Sequence, residues 1–381
     1  MNTVSRVAVL RCTDYSEENV YRTMKAGIDL LGGIGRFVGP EENILVKPNF
    51  LHSSDESRAV TTHPSVIKAM LRLLNESGYG NVRFGDSPAM GSCRSAAAAL
   101  GLEDGIYGAS IADMSEAVDV PFPEGTTARH FRFAREVTEA DAVIDLCKMK
   151  THALERITGA VKNVYGLVCG ANKAAGHVSF PNATVFARML TDIHKAVKPR
   201  LHVMDGITAM EGNGPSSGDP VEMDVMLFSS DPVALDTVYC WLIDLDPLLV
   251  PTNEQGMACG IGTCREDEIE AVTLDDDGNE TVLSRKELFS RYGNSGFDVA
   301  RTGYQRSFLG AFSRIATKLS RPVIDKKKCI HCGVCVDHCP VTGGAVHFDN
   351  GRDAPPVYDY SKCIRCYCCQ ELCPAHAIKK R

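Results

Sequence analysis

Nine of the sixteen cysteines lie between Cys329 and Cys373, and eight of these repeat one pattern. Cys329, Cys332, Cys335 and Cys339 lead into Pro340, and Cys363, Cys366, Cys369 and Cys373 lead into Pro374. Two-residue spacers let three thiolates close around one face of a cubane, and the longer last spacer sends the fourth elsewhere, as in [4Fe–4S] sites. With two such runs, the fourth cysteine of each ligates the other cluster. The expected ligand sets are therefore Cys329, Cys332, Cys335, Cys373 and Cys339, Cys363, Cys366, Cys369. Paired CxxC motifs also hold zinc, but two complete runs closed by proline favour two [4Fe–4S] clusters. Cys368 is left as a spare. The 23 residues between Cys339 and Cys363 contain Gly343-Gly344, Asn350-Gly351 and Pro355-Pro356, which predicts a small hairpin or loop over one cluster.

So many thiols suit a reducing compartment, where they serve as ligands rather than disulfides. The opening MNTVSRVAVLRC lacks the layout of a secretion signal, and no apolar run reaches the roughly 18 residues of a membrane span. A cytoplasmic location is expected, with the seven scattered cysteines as small buried hydrophobes. A net charge of -7 and a pI near 5.9 offer no whole-molecule basic surface, so nucleic acid is not expected as a partner. At 381 residues the chain can build one large or two unequal domains. Nothing in the letters marks an oligomer interface, and a twofold dimer stays open.

Before the cysteine runs, short apolar stretches alternate with helical patterns, the mark of an α/β fold with a largely parallel sheet flanked by helices. Strands are expected at Val7–Leu10, Ile44–Lys47, Val82–Gly85, Ala142–Cys147, Leu201–Met204, Val225–Phe228 and Ile269–Leu274. Helices are expected from Val20 to Phe37 and from Pro64 to about Gly78, the second with proline at its first position. The implied organisation is an α/β domain over 1–283, a basic helical linker over 284–322, and a small α+β cluster domain over 323–381. In the linker Phe308, Phe312, Ile315 and Leu319 share one helical face.

Polar residues gather where strands should end: Lys47 and Asn49, Asp86, Lys148, Lys150 and His152, and Asp205. In open α/β sheets such loops converge on one crevice outside the carboxyl ends of the strands. Lys47, Lys148, Lys150 and Lys162 suit a carboxylate or phosphate, and Asn49 or Asn163 can orient it. His152 is the best proton-transfer candidate, since imidazole titrates near neutral pH. Asp86 and Asp205 serve equally well as turn caps, and His63 as a helix start. Gly212, Gly214 and Gly218 in EGNGPSSG permit close approach of a ligand, but no nucleotide-binding glycine motif occurs.

The segments VKPNF, TTHPSV, GDSP, KMKTH, ITGAVKNVYGLV, DGITAMEGNGPSSGDP and SSDPVALD, in this order, resemble domain-of-unknown-function family 362 over residues 5–275. The tail separately resembles bacterial two-cluster ferredoxins. The family likeness places Lys47, Asn49, Asp86, Lys148, Lys150, His152, Lys162, Asn163, Asp205 and Glu211 at its motif positions. Within that set Lys148, Lys150, His152 and Asp86 are the catalytic candidates, and Lys47, Asn49, Lys162, Asn163, Asp205 and Glu211 the candidates for holding a bound cofactor or substrate. The expected function is a ferredoxin-linked oxidoreductase passing single electrons between a redox partner protein and a small anionic substrate or cofactor in the crevice. The alternatives are a non-catalytic electron-transfer or docking module and a cofactor or metal maturation protein.

Overall fold

The structure, a computed structural model, describes residues 4–52, 54–170, 172–301 and 320–381. A ten-stranded sheet forms the frame of the α/β part. Its strands are β1 (Ser5–Arg11), β2 (Ile44–Pro48), β3 (Val82–Phe84), β4 (Ser110–Ile111), β7 (Ala142–His152), β8 (Arg156–Thr158), β9 (Leu201–Glu211), β10 (Asp219–Ser229), β11 (Ile269–Leu274) and β12 (Glu280–Leu283). A separate hairpin pairs β5 (Ala117–Pro121) with β6 (His130–Ala134). The order is β12-β11-β1-β10-β9-β7-β2-β3-β4, with β8 folded back on β7. The sheet is mixed and mostly parallel: β9, β7, β2, β3 and β4 run together, whereas β10 is antiparallel to both β1 and β9.

Alternation along the central strands divides two cores. In β1, Ala8 and Leu10 enter the core covered by α1 (Glu17–Leu30), α2 (Pro64–Glu76) and α7 (Ala183–Val197), while Val7 and Val9 face α8 (Pro232–Leu242). Helix α1 stops well short of Phe37, because Gly32 and Gly33 take positive φ and break it. Helix α2 starts as expected, with Pro64 at its first turn and the His63 imidazole accepting the Ser65 amide at 3.1 Å.

Two strands run well past their expected C-terminal ends. β7 continues through Lys148, Lys150 and His152, and β9 through Asp205 to Glu211, so these residues stand on strands rather than in following loops. Lysines in a buried strand are costly unless paired, and here each finds a partner.

The tail folds around the antiparallel pair Pro322–Ile324 and Ile378–Lys380. The insert between the cysteine runs does form a small hairpin, Val346–His347 with Val357–Tyr358. In the expected linker, Ser284 and Glu287 form a capping box at α10 (Arg285–Tyr292). Phe308, Phe312, Ile315 and Leu319 lie outside the described residues. No helix among the described residues is long and apolar enough to cross a membrane.

Candidate functional site

The cysteines of the tail line two cavities. Cys329, Cys332, Cys335 and Cys373 line one, and Cys339, Cys363, Cys366 and Cys369 line the other. The crossed sets expected from the spacing are thus the sets that share walls. The remaining walls are largely apolar, with Ile324, Ile330, Val334 and Ile378 around the first and Val341, Val346 and Ile364 around the second.

Donors already point at several sulfurs. The Ala345 amide donates to Cys339 Sγ at 3.3 Å, the Ala377 amide to Cys373 Sγ at 3.3 Å, and the Tyr358 hydroxyl to Cys369 Sγ at 3.1 Å. Such bonds favour thiolate and raise a cluster's potential. Among the described residues no three His, Cys, Asp or Glu side chains converge as a single-ion site requires. The sulfurs of each set surround a common cavity, as ligands of a cubane do. Burial of the small helix Cys368–Glu371 turns Cys368 away from the solvent, and its thiol contacts that of Cys366.

In the α/β part, the C-terminal ends of β2, β3, β7 and β9 bring the polar candidates together in three groups. Lys47 Nζ lies 3.1 Å from Asp86 Oδ1, and Asp86 Oδ2 accepts the Phe50 amide at 2.8 Å. Gly166 is required here, since an added methyl would overlap the Asp86 carboxylate. Lys148 Nζ donates to Asp205 Oδ2 at 2.7 Å and to the Tyr15 hydroxyl at 2.9 Å, and that hydroxyl donates to Asp205 Oδ1 at 2.8 Å. Asp205 Oδ2 also accepts the His63 amide at 2.9 Å. Asp86 and Asp205 are therefore halves of buried ion pairs.

The third group is a chain. Lys150 Nζ donates to Asn49 Oδ1 at 2.9 Å, Asn49 to Asn163 Oδ1 at 2.9 Å, and Asn163 to Asp145 Oδ1 at 2.6 Å, with His202 Nδ1 closing it 3.0 Å from Asp145 Oδ2. Lys150 also donates to the Val60 carbonyl at 2.6 Å. Burial, reinforced by the positive Lys162, holds the Lys150 pKa well below the ordinary lysine value.

The short helix α5 (Ala160–Asn163) presents Lys162 and Asn163. Its first amides, Ala160 and Val161, are accepted by Asp236 at 2.7 and 3.1 Å, and the carboxylate occupies the space a side chain on Gly159 would need. Lys162 is half-buried and makes no hydrogen bond or ion pair with the described residues.

His152 does not face an open crevice. Its Nδ1 accepts the amides of Leu154 and Glu155 at 3.1 and 3.0 Å, which leaves the proton on Nε2 for Glu371 Oε1 of the tail at 2.8 Å. Burial pushes its pKa down to about 3, so the ring is neutral at physiological pH and serves as an interdomain tie rather than a titrating base. The glycine loop is likewise a platform for the tail. Gly214 is pressed against the β7 backbone at Thr151, and Gln370 Nε2 donates to the Asn213 and Gly214 carbonyls at 2.8 and 3.0 Å. Ser216 donates to the Glu371 carbonyl at 2.7 Å, and Ser217 pairs with His376 at 2.9 Å. Glu211 accepts the Asp298 amide at 2.8 Å and makes no contact with the lysine groups. Cys169 is buried, its thiol directed at the carbonyls of Met114 and Ser115 at 3.2 and 3.1 Å, a packing role.

Glu155, Tyr165 and Lys173 carried no sequence signal. Glu155 is fully buried and neither carboxylate oxygen has a hydrogen-bond partner among the described residues; burial pushes its pKa up to about 8, against the pull of Lys162 and Lys380. His177 is buried with Nδ1 unpartnered, stacked on Phe186 at 4.6 Å. Tyr165 packs edge-on to His177 and donates to the Lys173 carbonyl at 2.6 Å; burial raises its pKa well above the ordinary value, with charge at Cys368 and Glu371 adding to it. Lys173, whose pKa burial lowers to about 8, donates to the Ser87 carbonyl. Lys162, His177 and Tyr165 thus feel the charge of Glu371 in the helix that carries Cys368 and Cys369.

Residues 44–241 match a family described as a domain of unknown function, DUF362, and residues 321–374 match a 4Fe-4S dicluster domain. The tail is an iron–sulfur domain. A thylakoid-associated protein from Synechocystis sp. is 37% identical over 259 residues, covering 65% of this chain and 78% of that protein. Two solved structures are 12% identical to this chain: a Thermotoga maritima protein, with a TM-score of 0.36, and the lactate racemase apoprotein from Thermoanaerobacterium thermosaccharolyticum, with 0.39. The matches cover 57% and 64% of this chain, and 56% and 57% of those chains, so the chain spans just over half of each.

Proposed function

Because the chain belongs to the DUF362 family and closes with an iron–sulfur domain, we propose that it is a redox protein in which two [4Fe–4S] clusters pass single electrons to an acceptor in the crevice. One observation carries this: the helix bearing Cys369 inserts Glu371 against His152 and brings Cys368 toward Tyr165, so one cluster site adjoins the crevice. The clusters, when bound, supply one-electron chemistry. The protein's own residues supply the rest. Lys162, which has no hydrogen bond or ion pair among the described residues, attracts an anionic acceptor and stabilises added negative charge. Glu155, held protonated near neutral pH, has a proton to give after reduction. The tail covers the crevice and keeps water from it. The acceptor in this proposal is a small anionic substrate or cofactor, and the cytoplasm the place of action.

The alternative is an electron-transfer module without chemistry of its own. It is favoured by the engagement of Lys47, Lys148 and Lys150, whose ammonium groups are already bonded within the protein. Anaerobic reduction of the clusters, followed by their visible absorbance on addition of carboxylated, phosphorylated and conjugated acceptors, separates the two. Catalytic reoxidation that Lys162→Ala abolishes, with the clusters intact, supports the enzyme. Inert small acceptors combined with reoxidation by a protein would leave only the module.

A further inference from the structure

Charge is divided unevenly along this chain. The whole carries -7, yet Arg321–Arg381 holds ten Lys and Arg against six Asp and Glu. Three of those cations, Lys326, Lys327 and Lys328, are exposed in succession immediately before Cys329, a wall residue of the first cavity. The turn that presents them is fixed by Asp325, whose carboxylate accepts the Lys327 amide at 3.0 Å and whose carbonyl accepts the Lys328 amide at 3.1 Å. None of the three ammonium groups is bonded or ion-paired among the described residues. A run of lysines is most often a solvated face, but this one borders Ile330.

Ile330 lines the first cavity and is also 64% exposed, the most exposed large hydrophobic side chain of the described residues. An isoleucine with one side on a cluster site and the other in water is costly unless something covers it. The second site faces inward instead: Cys366 contacts the buried Cys368, which adjoins Tyr165.

We propose that Lys326, Lys327, Lys328 and Ile330 form the docking site of a small acidic electron-carrier protein, which exchanges one electron at the first cluster while the second serves the crevice. The proposal rests on the redox reading above. Cationic groups around an apolar contact suit a carboxylate-rich partner: the charges steer the encounter, and the apolar residue brings the surfaces close over the cluster. Each encounter oxidises the carrier by one electron and reduces a cluster by one, with no bond or proton transferred.

The test is anaerobic stopped-flow reduction of the full chain by a reduced acidic [2Fe–2S] ferredoxin, over a range of ionic strength, with dithionite as a small-molecule control. Lys326→Glu, Lys327→Glu and Lys328→Glu together should lower the second-order rate at low salt by about tenfold or more, and the gap should close as salt rises. Ile330→Ser should slow the reaction at every salt concentration. A triple variant of equal charge change on the α/β domain, Arg22→Glu, Lys25→Glu and Lys286→Glu, should change the rate by less than about twofold, since screening weakens distant charges. Equal rates in the wild type and the lysine variant, or an equal loss in the control variant, would overturn the docking site. So would lysine-dependent binding to phosphatidylglycerol vesicles with carrier rates untouched, which would make the patch a lipid contact. Failure of dithionite to bleach the clusters would instead remove the redox reading itself.

Discussion

Glu155 is fully buried, and neither carboxylate oxygen has a hydrogen-bond partner among the described residues. A buried carboxyl with no hydrogen-bond partner stays protonated, and burial raises its pKa to about 8. Because the folded value lies above the unfolded one, its neutral form suits the fold below about pH 4.5, and stability falls as pH rises from there through about 8. Glu155→Gln should therefore match the wild type near pH 4 and surpass it at pH 9, measured by urea midpoints across that range. A wild type and variant with parallel pH profiles would show that Glu155 is ionised and partnered. Nothing in ALERITG distinguishes this glutamate from a surface residue, because its burial depends on β8 folding back onto β7.

At the scale of elements, the decisive contact is between the end of β7 and the four-residue helix Cys368–Glu371. His152 and Glu371 meet at 2.8 Å, and loss of the imidazole leaves a buried carboxylate without that donor. His152→Ala should weaken tail docking by about 2 kcal/mol, seen as faster hydrogen exchange of the amides in 368–380 with the sheet unchanged. The alternation Lys148-Met149-Lys150-Thr151-His152 is a strand pattern in plain view. It reads as a loop because charged residues rarely enter buried strands. Asp205, Tyr15 and Asn49 remove that objection, and they come from remote parts of the chain.

For the whole molecule, the crossed cysteine sets make a sharp forecast. Cys339→Ala and Cys363→Ala should each reduce bound iron from about eight to about four per chain, and the double variant should retain about four, because both cysteines then serve one cluster. A double variant without iron would mean that each run holds its own cluster. Cys368→Ala should keep about eight, as expected of a thiol outside both sets. Iron analysis with absorbance measures all four.

The local spacing of the cysteines made the iron–sulfur character of the tail legible, because that information spans only a few residues at a time. Alternating apolar runs likewise marked the strands β1, β2, β3 and β11 and the α/β class. That Lys47 and Asp86 stand where β2 and β3 end was legible in the sequence, whereas Lys148 and Lys150 lie within β7 rather than after it. What these four bond to was not legible. Whether a lysine is free for a ligand or spent on an aspartate depends on residues that meet only after folding, such as Lys148 with Asp205 and Tyr15. Tertiary structure alone turned His152 from a proton-transfer candidate into a tie to Glu371, left Lys162 without a hydrogen bond or ion pair among the described residues, and docked the iron–sulfur domain against the end of β7 and the loop after β9.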